Sequence, residues 1–225
     1  MIVKRYKKII NLKKKYHFSD FEIATNYGLF SGDTNLFKTL KIFELLMQTK
    51  NLKGDIIEFG IHKGNTSLLI GKIIKIFKLK KKLYLVDHFK GLINFSKNDP
   101  KKSVKYKKYY KGNKKQIQDF LKFNNLKKVK IMDIDASKIK NNYFKNWKFS
   151  LVYFDMDLYL PTKNSLNTIS KNIVKNGIIV FDQANKNFWG EKKAAKEFLA
   201  NNENYKVIFK EKYYQPDLVI KKIKN

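Results

Sequence analysis

A chain of 225 residues with 43% apolar residues can bury one sizeable core, carries 49 basic against 19 acidic residues for a formal charge of +30, and contains no cysteine. The missing cysteine excludes disulfides, thiolate metal sites and cysteine nucleophiles, so any metal must be held by oxygen or by histidine. No apolar run approaches the roughly 20 residues that span a bilayer, and the opening MIVKRYKKIINLKKKYHF scatters charge where a signal peptide keeps its apolar block, so a cytoplasmic chain without a transmembrane segment is expected.

The basic surplus is almost entirely lysine, with Arg5 the single arginine. Readers of phosphate and guanine favour arginine's planar, bidentate fork. The charge therefore reads first as a solvated surface, second as attraction to an anionic acceptor or a membrane surface, and last as a nucleic-acid partner.

In chain order, residues 1–30 form a lysine-rich, aromatic N-terminal extension, predicted as a short helix and a loop. Its Tyr16, Phe18, Phe21, Tyr27 and Phe30 are expected to help close a site or a homo-oligomer interface. Residues 31–225 read as one domain. Asp33 or Thr34 suits a helix cap, followed by Leu36, Leu40, Phe43, Leu46 and Met47 at helical spacing. Beyond it, short apolar runs at 55–59, 83–86, 129–132, 151–154 and 178–181 predict buried parallel strands, separated mostly by helical stretches near 66–77, 113–124, 162–174 and 190–201. Two further strands, near 205–211 and 218–222, are joined by too few residues for a parallel crossover, so the last should run antiparallel. The expected fold class is α/β: a Rossmann-like, seven-stranded, mostly parallel sheet of the class I methyltransferase layout, with an antiparallel last strand and helices on both faces. Ligands of such sheets bind beyond the carboxyl ends of the strands.

Polar residues gather at those ends. After strand one, Gly60 and Gly64 allow a tight turn into a helix beginning near Thr66, whose free amides suit an anionic group. Asp87 closes strand two, where an acid commonly accepts hydrogen bonds from both ribose hydroxyls of an adenosine-containing cofactor. Asp135 and Ser137, after strand three, can reach the adenine from the other side or simply form a turn. Asp155 and Asp157 after strand four, with Asp182, Gln183 and Asn185 after strand five, make an oxygen-rich cluster suited to Mg²⁺, although strand-end acids also cap helices.

From Gly54 through Phe198 the chain resembles the macrocin O-methyltransferase family, which methylates sugar hydroxyls. The resemblance is carried by Gly54-Asp55-Ile56-Ile57-Glu58-Phe59-Gly60, Asp87-His88-Phe89-Lys90-Gly91-Leu92, Asp155-Met156-Asp157-Leu158-Tyr159, and Trp189-Gly190 with Ala194 and Phe198. It implies that Glu58, Gly60, Gly64, Thr66 and Asp87, with Asp135 and Ser137, hold S-adenosyl-L-methionine. It also implies that Asp155 and Asp182 are metal ligands, and that Asp157 is the general base. Gln183 stands where the family pattern has a third ligand, an acid or Asn, and removes one negative charge from it. The expected function is thus Mg-assisted O-methylation of a sugar or other small metabolite. A non-catalytic basic module for an anionic glycan, lipid or RNA fits less well, because pure binding needs no acid cluster. Base methylation is disfavoured by Asp155-Met156-Asp157-Leu158 after strand four and by the missing cysteine.

Overall fold

A computed structural model describes residues 2–224, and their side chains from residue 7. Helices α1 (Ile2–Tyr16), α2 (Asp20–Thr25) and α3 (Tyr27–Phe30) precede α4 (Asp33–Thr49). Then follow β1 (Asp55–Phe59), α5 (Asn65–Ile76), β2 (Leu83–Asp87), α6 (Lys114–Phe123), β3 (Val129–Asp133), β4 (Phe149–Phe154), α7 (Tyr159–Ile169), β5 (Ile173–Phe181), α8 (Glu191–Ala200), β6 (Tyr205–Lys210) and β7 (Leu218–Lys222). The extension is three helices where one and a loop were expected. Phe18 and Phe30 pack edge to face at 5.3 Å, while Phe21 and Leu29 stay exposed.

All seven expected strands form one sheet in the order β3-β2-β1-β4-β5-β7-β6, with β7 antiparallel to both neighbours. The reversal follows from the short connection 211–217, which cannot carry a parallel crossover. Successive residues of each central strand face opposite layers. Val152, Phe154, Ile179 and Phe181 meet Leu166, Ile169, Ala195 and Phe198 of α7 and α8 on one side. Leu151, Tyr153, Ile178 and Val180 meet Ile42, Leu45 and Ile70 of α4 and α5 on the other. Burial on both faces explains why these strands read as continuous apolar runs.

Two expectations need correction. Residues 173–174 belong to β5 rather than to the preceding helix. Asn176, in the left-handed region, and Gly177 make an irregularity that shifts the pairing from Phe149↔Ile173 to Leu151↔Ile178, so the strand resumes only after a break in its apolar run. In α4 the predicted apolar stripe does not all face inward: Leu36 and Leu40 are 45% and 58% exposed. The buried positions are Ile42, Leu45, Leu46 and Thr49. The same face, continued one turn toward the N-terminus, carries Lys38, whose side chain is only 16% exposed.

Candidate active site

Parallel registers place Phe59 opposite Phe154 and Phe154 opposite Phe181. The three rings stack at 5.1 and 5.5 Å, nearly parallel, as a level apolar row across the sheet. The next residues, Gly60, Asp155 and Asp182, are therefore level too, and Asp155 N–H donates to Phe59 O (2.8 Å) as Asp182 N–H does to Phe154 O (2.9 Å). Backbone pairing thus holds the polar residues at one depth above a rigid aromatic base.

A cavity of about 450 Å³ opens above this row, within the range of small-molecule sites. Gly60, Asp87, Asp135, Asp155, Asp157, Asp182 and Gln183 all line it, so seven of the expected site residues converge. Gly60 is required by contact: its φ is +86°, and a Cβ there would lie 2.1 Å from Asp155 O. Glu58, Gly64, Thr66 and Ser137 do not line the cavity. Glu58 is buried beneath the turn and accepts from Ser67 Oγ at 2.6 Å. Burial pushes its carboxyl up to about 8, against the opposing effect of that bond. Gly64 adopts the left-handed conformation that starts α5, and Thr66 is buried in its first turn. Ser137 donates through Oγ and N–H to Asp135 Oδ1, as does Asn94 Nδ2 at 2.9 Å, and these bonds outweigh burial to lower the Asp135 pKa.

Asp87 organises the first half of the site. Its Oδ2 accepts from the N–H groups of Ile61 (2.7 Å) and His62 (3.1 Å), and its Oδ1 from that of Phe89 (2.6 Å). One carboxylate thereby fixes both loops that border the cavity, and Oδ1, which accepts a single N–H, keeps acceptor capacity for a ligand hydroxyl.

The second half is tightly charged. Asp157 is buried, with φ +61°, a conformation strained for a residue with a Cβ and tolerated best by Asp and Asn. Its backbone oxygen accepts from Glu191 N–H (2.9 Å), and its Oδ1 accepts from Gln183 Nε2 (2.6 Å). Glu191, with no exposed surface, bridges the two loops by accepting from Gln183 N–H at 3.1 Å and Met156 N–H at 3.4 Å. Burial, then repulsion from Asp155 and Asp182, raises the Asp157 pKa. Burial and Asp182 also push Asp155 up to about 7, although Lys38 opposes them.

Lys38, Glu191 and the cavity-lining Asn94 are residues that sequence reasoning missed. Lys38 Nζ lies 2.8 Å from Asp182 Oδ1 and 3.6 Å from Asp155 Oδ2, and 5.5 Å from the ring centre of Tyr153. Tyr153 Oη donates to Asp182 at 2.5 Å. Burial works to lower the Lys38 pKa, but the two aspartates outweigh it and keep the ammonium charged. The donor set expected for Mg²⁺ does not fit as arranged. An ammonium bridges the two carboxylates, and the third donor turns its amide nitrogen to Asp157. Among the described residues, no three His, Cys, Asp or Glu side chains form a metal-holding group.

The outer wall is aromatic. Trp189, which lines the cavity, packs on Phe188 at 4.6 Å and Tyr106 at 5.5 Å, and Tyr110 faces His62 at 5.4 Å. Asp99 ties this wall to α7 by accepting from Tyr159 N–H at 2.8 Å. Burial lowers the His62 pKa.

A family model for macrocin O-methyltransferase (TylF) matches residues 32–209. No curated protein matches the chain in a direct sequence search. Among solved structures, the calicheamicin methyltransferase CalS11 superposes with a TM-score of 0.79 at 19% identity, covering 99% of this chain and 93% of its own. The O-methyltransferase NovP gives 0.67 at 16%, covering 86% and 81%. An O-methyltransferase from Bacillus cereus in complex with SAH gives 0.55 at 8%, covering 98% and 91%. At such identities these structures establish the methyltransferase fold alone. The family match spans most of the chain and goes further: the chain belongs to the macrocin O-methyltransferase family and is a methyltransferase.

Proposed function

We propose that this chain transfers the methyl group of S-adenosyl-L-methionine to a hydroxyl of a sugar or sugar-bearing small molecule, with Asp157 as the base. The observation that carries the reading is that the glycine turn, Asp87 and the acid cluster around Asp157 open into one cavity. Gly60, Asp87, Asn94 and Asp135 are the residues suited to hold the donor, with Glu58, Gly64, Thr66 and Ser137 shaping the turns behind them. When bound, the donor supplies a methyl group already activated on sulfur.

Asp157 takes the acceptor hydroxyl's proton, and the O–H electron pair stays on the oxygen that attacks the methyl carbon. The C–S pair returns to sulfur, leaving a thioether and a methyl ether, and Asp157 releases its proton to solvent. A raised pKa suits a carboxylate that must capture a hydroxyl proton. The aromatic wall keeps water away and orients the acceptor, from which much of the acceleration derives. The reading includes no step through Mg²⁺, because Lys38 stands between Asp155 and Asp182.

The sugar class rests on the family and on CalS11, described in its apo structure as a TDP-rhamnose 3'-O-methyltransferase. Lys102 and Lys105 lie 5.5 and 5.9 Å from the ring of Phe188, which packs on the cavity-lining Trp189, and positive charge on that wall favours an acceptor carrying negative charge. The test is mass spectrometry on a panel of nucleotide-linked sugars and neutral glycosides incubated with protein and methyl donor. A gain of one methyl group, greatest among the anionic acceptors, is expected. Transfer confined to nucleic acid or to non-sugar amines would overturn the reading.

A further inference from the structure

We propose that the Lys38 ammonium is the resident cation of the acid cluster, and that it supplies the positive charge expected there of a divalent ion. The proposal deepens the methyl-transfer reading and rests on it.

Three independent features converge on one position. The sheet brings Asp155 and Asp182 side by side, where two carboxylates need a countercharge. Helix α4 approaches them from another part of the chain with Lys38 on its buried face, one turn before Ile42, so packing of Ile42, Leu45 and Leu46 fixes where the ammonium sits. At the third position Gln183 replaces an acid and donates to Asp157, which removes one negative charge from the donor set and turns its amide away from Asp155 and Asp182. Tyr153 Oη donates to the same Asp182 oxygen that the ammonium meets.

Lys38 also lines the cavity, so its charge acts on the oxygen that becomes negative as Asp157 removes the proton. Preorganised charge at such an oxygen is commonly worth about 10²–10³ in rate. An ammonium held by packing differs from an exchangeable ion in that it cannot be chelated.

The experiment follows Mn²⁺ binding by electron paramagnetic resonance in the wild type, Lys38→Met and Lys38→Arg, with methyl transfer assayed in EDTA and in Mg²⁺. The wild type should bind no stoichiometric Mn²⁺ and should be indifferent to EDTA. Lys38→Met should lose about 10²-fold in turnover, should gain Mn²⁺ binding at the exposed carboxylates, and should recover part of its turnover in millimolar Mg²⁺. Lys38→Arg should keep the wild-type exclusion of Mn²⁺. A stoichiometric Mn²⁺ site in the wild type, abolished by Asp182→Asn, would overturn the proposal whether or not Lys38→Met folds. The Mn²⁺ measurement needs no acceptor. If no sugar is methylated while wild type excludes Mn²⁺ and Lys38→Met binds it, the functional reading fails and the assignment of Lys38 as resident cation stands.

Discussion

The two halves of the cavity are built by different means. At the ends of β1, β2 and β3, local backbone does the work: Gly60 turns where no Cβ fits, and Asp87 accepts three backbone N–H groups within two short loops. At the ends of β4 and β5, Asp155, Asp157 and Asp182 crowd together with Glu191 from the start of α8, and Lys38 from the remote helix α4 pairs with Asp155 and Asp182. The first half is neutralised by dipoles, the second by a charge brought from elsewhere in the chain. Dipoles suit a ligand that must be held, whereas compressed charge suits a step in which charge moves.

The largest expected effect lies in the second half. Asp157→Asn should lower methyl transfer by about 10²–10⁴-fold, the range for loss of a positioned base, with donor affinity close to wild type. Asn tolerates φ near +61° and can still accept from Gln183, so the fold should survive and the comparison stays clean. A single-turnover assay at saturating donor reads the loss. Full activity in the variant would show that the strained loop serves only to pack.

The same contrast governs what could be read from the chain alone. The strand ends, the glycine turn and the acids were legible because each is a local pattern: an apolar run followed at once by Gly or Asp. Registers across β1, β4 and β5 then made separate patterns coincide. Lys38 was not legible, because in a chain this rich in lysine a single lysine on a helix carries no signal. Of the apolar stripe on α4, Leu46 is buried and Phe43 and Met47 pack on the core, but its first two members, Leu36 and Leu40, lie off the inward face that carries Lys38. The positions 38, 42, 45 and 49, spaced as one face, were the clue available. Glu191 was hidden for the opposite reason: an acid in the first turn of a helix looks like an ordinary dipole partner, whereas its partners here are backbone N–H groups of two other loops.

A smaller effect sharpens the comparison beneath the first half. Glu58 has an ordinary carboxyl value of 4.5 and is pushed to about 8 in the fold. Between those values the folded state binds the proton more tightly, so stability falls as pH rises from about 4.5 through 8. Glu58→Gln keeps an acceptor for Ser67 and should remove Glu58's share of that slope, leaving the contributions of the other raised carboxyls, Asp155, Asp157, Glu191 and Asp217. Calorimetric scans at pH 5 and pH 9 should show the variant gaining on the order of 5 °C relative to wild type at the higher pH. Equal slopes in the two proteins would mean that Glu58 is not the buried neutral acid described.

The most direct measurement is calorimetric titration of the wild type and Asp87→Ala with S-adenosylhomocysteine, which needs no acceptor and no metal. One site per chain is expected in the wild type, with affinity weakened by about 10–100-fold when Asp87 is removed, as for loss of a charged hydrogen-bond acceptor. Absence of heat and of any melting shift at millimolar ligand, with the wild-type protein folded, would contradict the assignment of this cavity to the methyl donor.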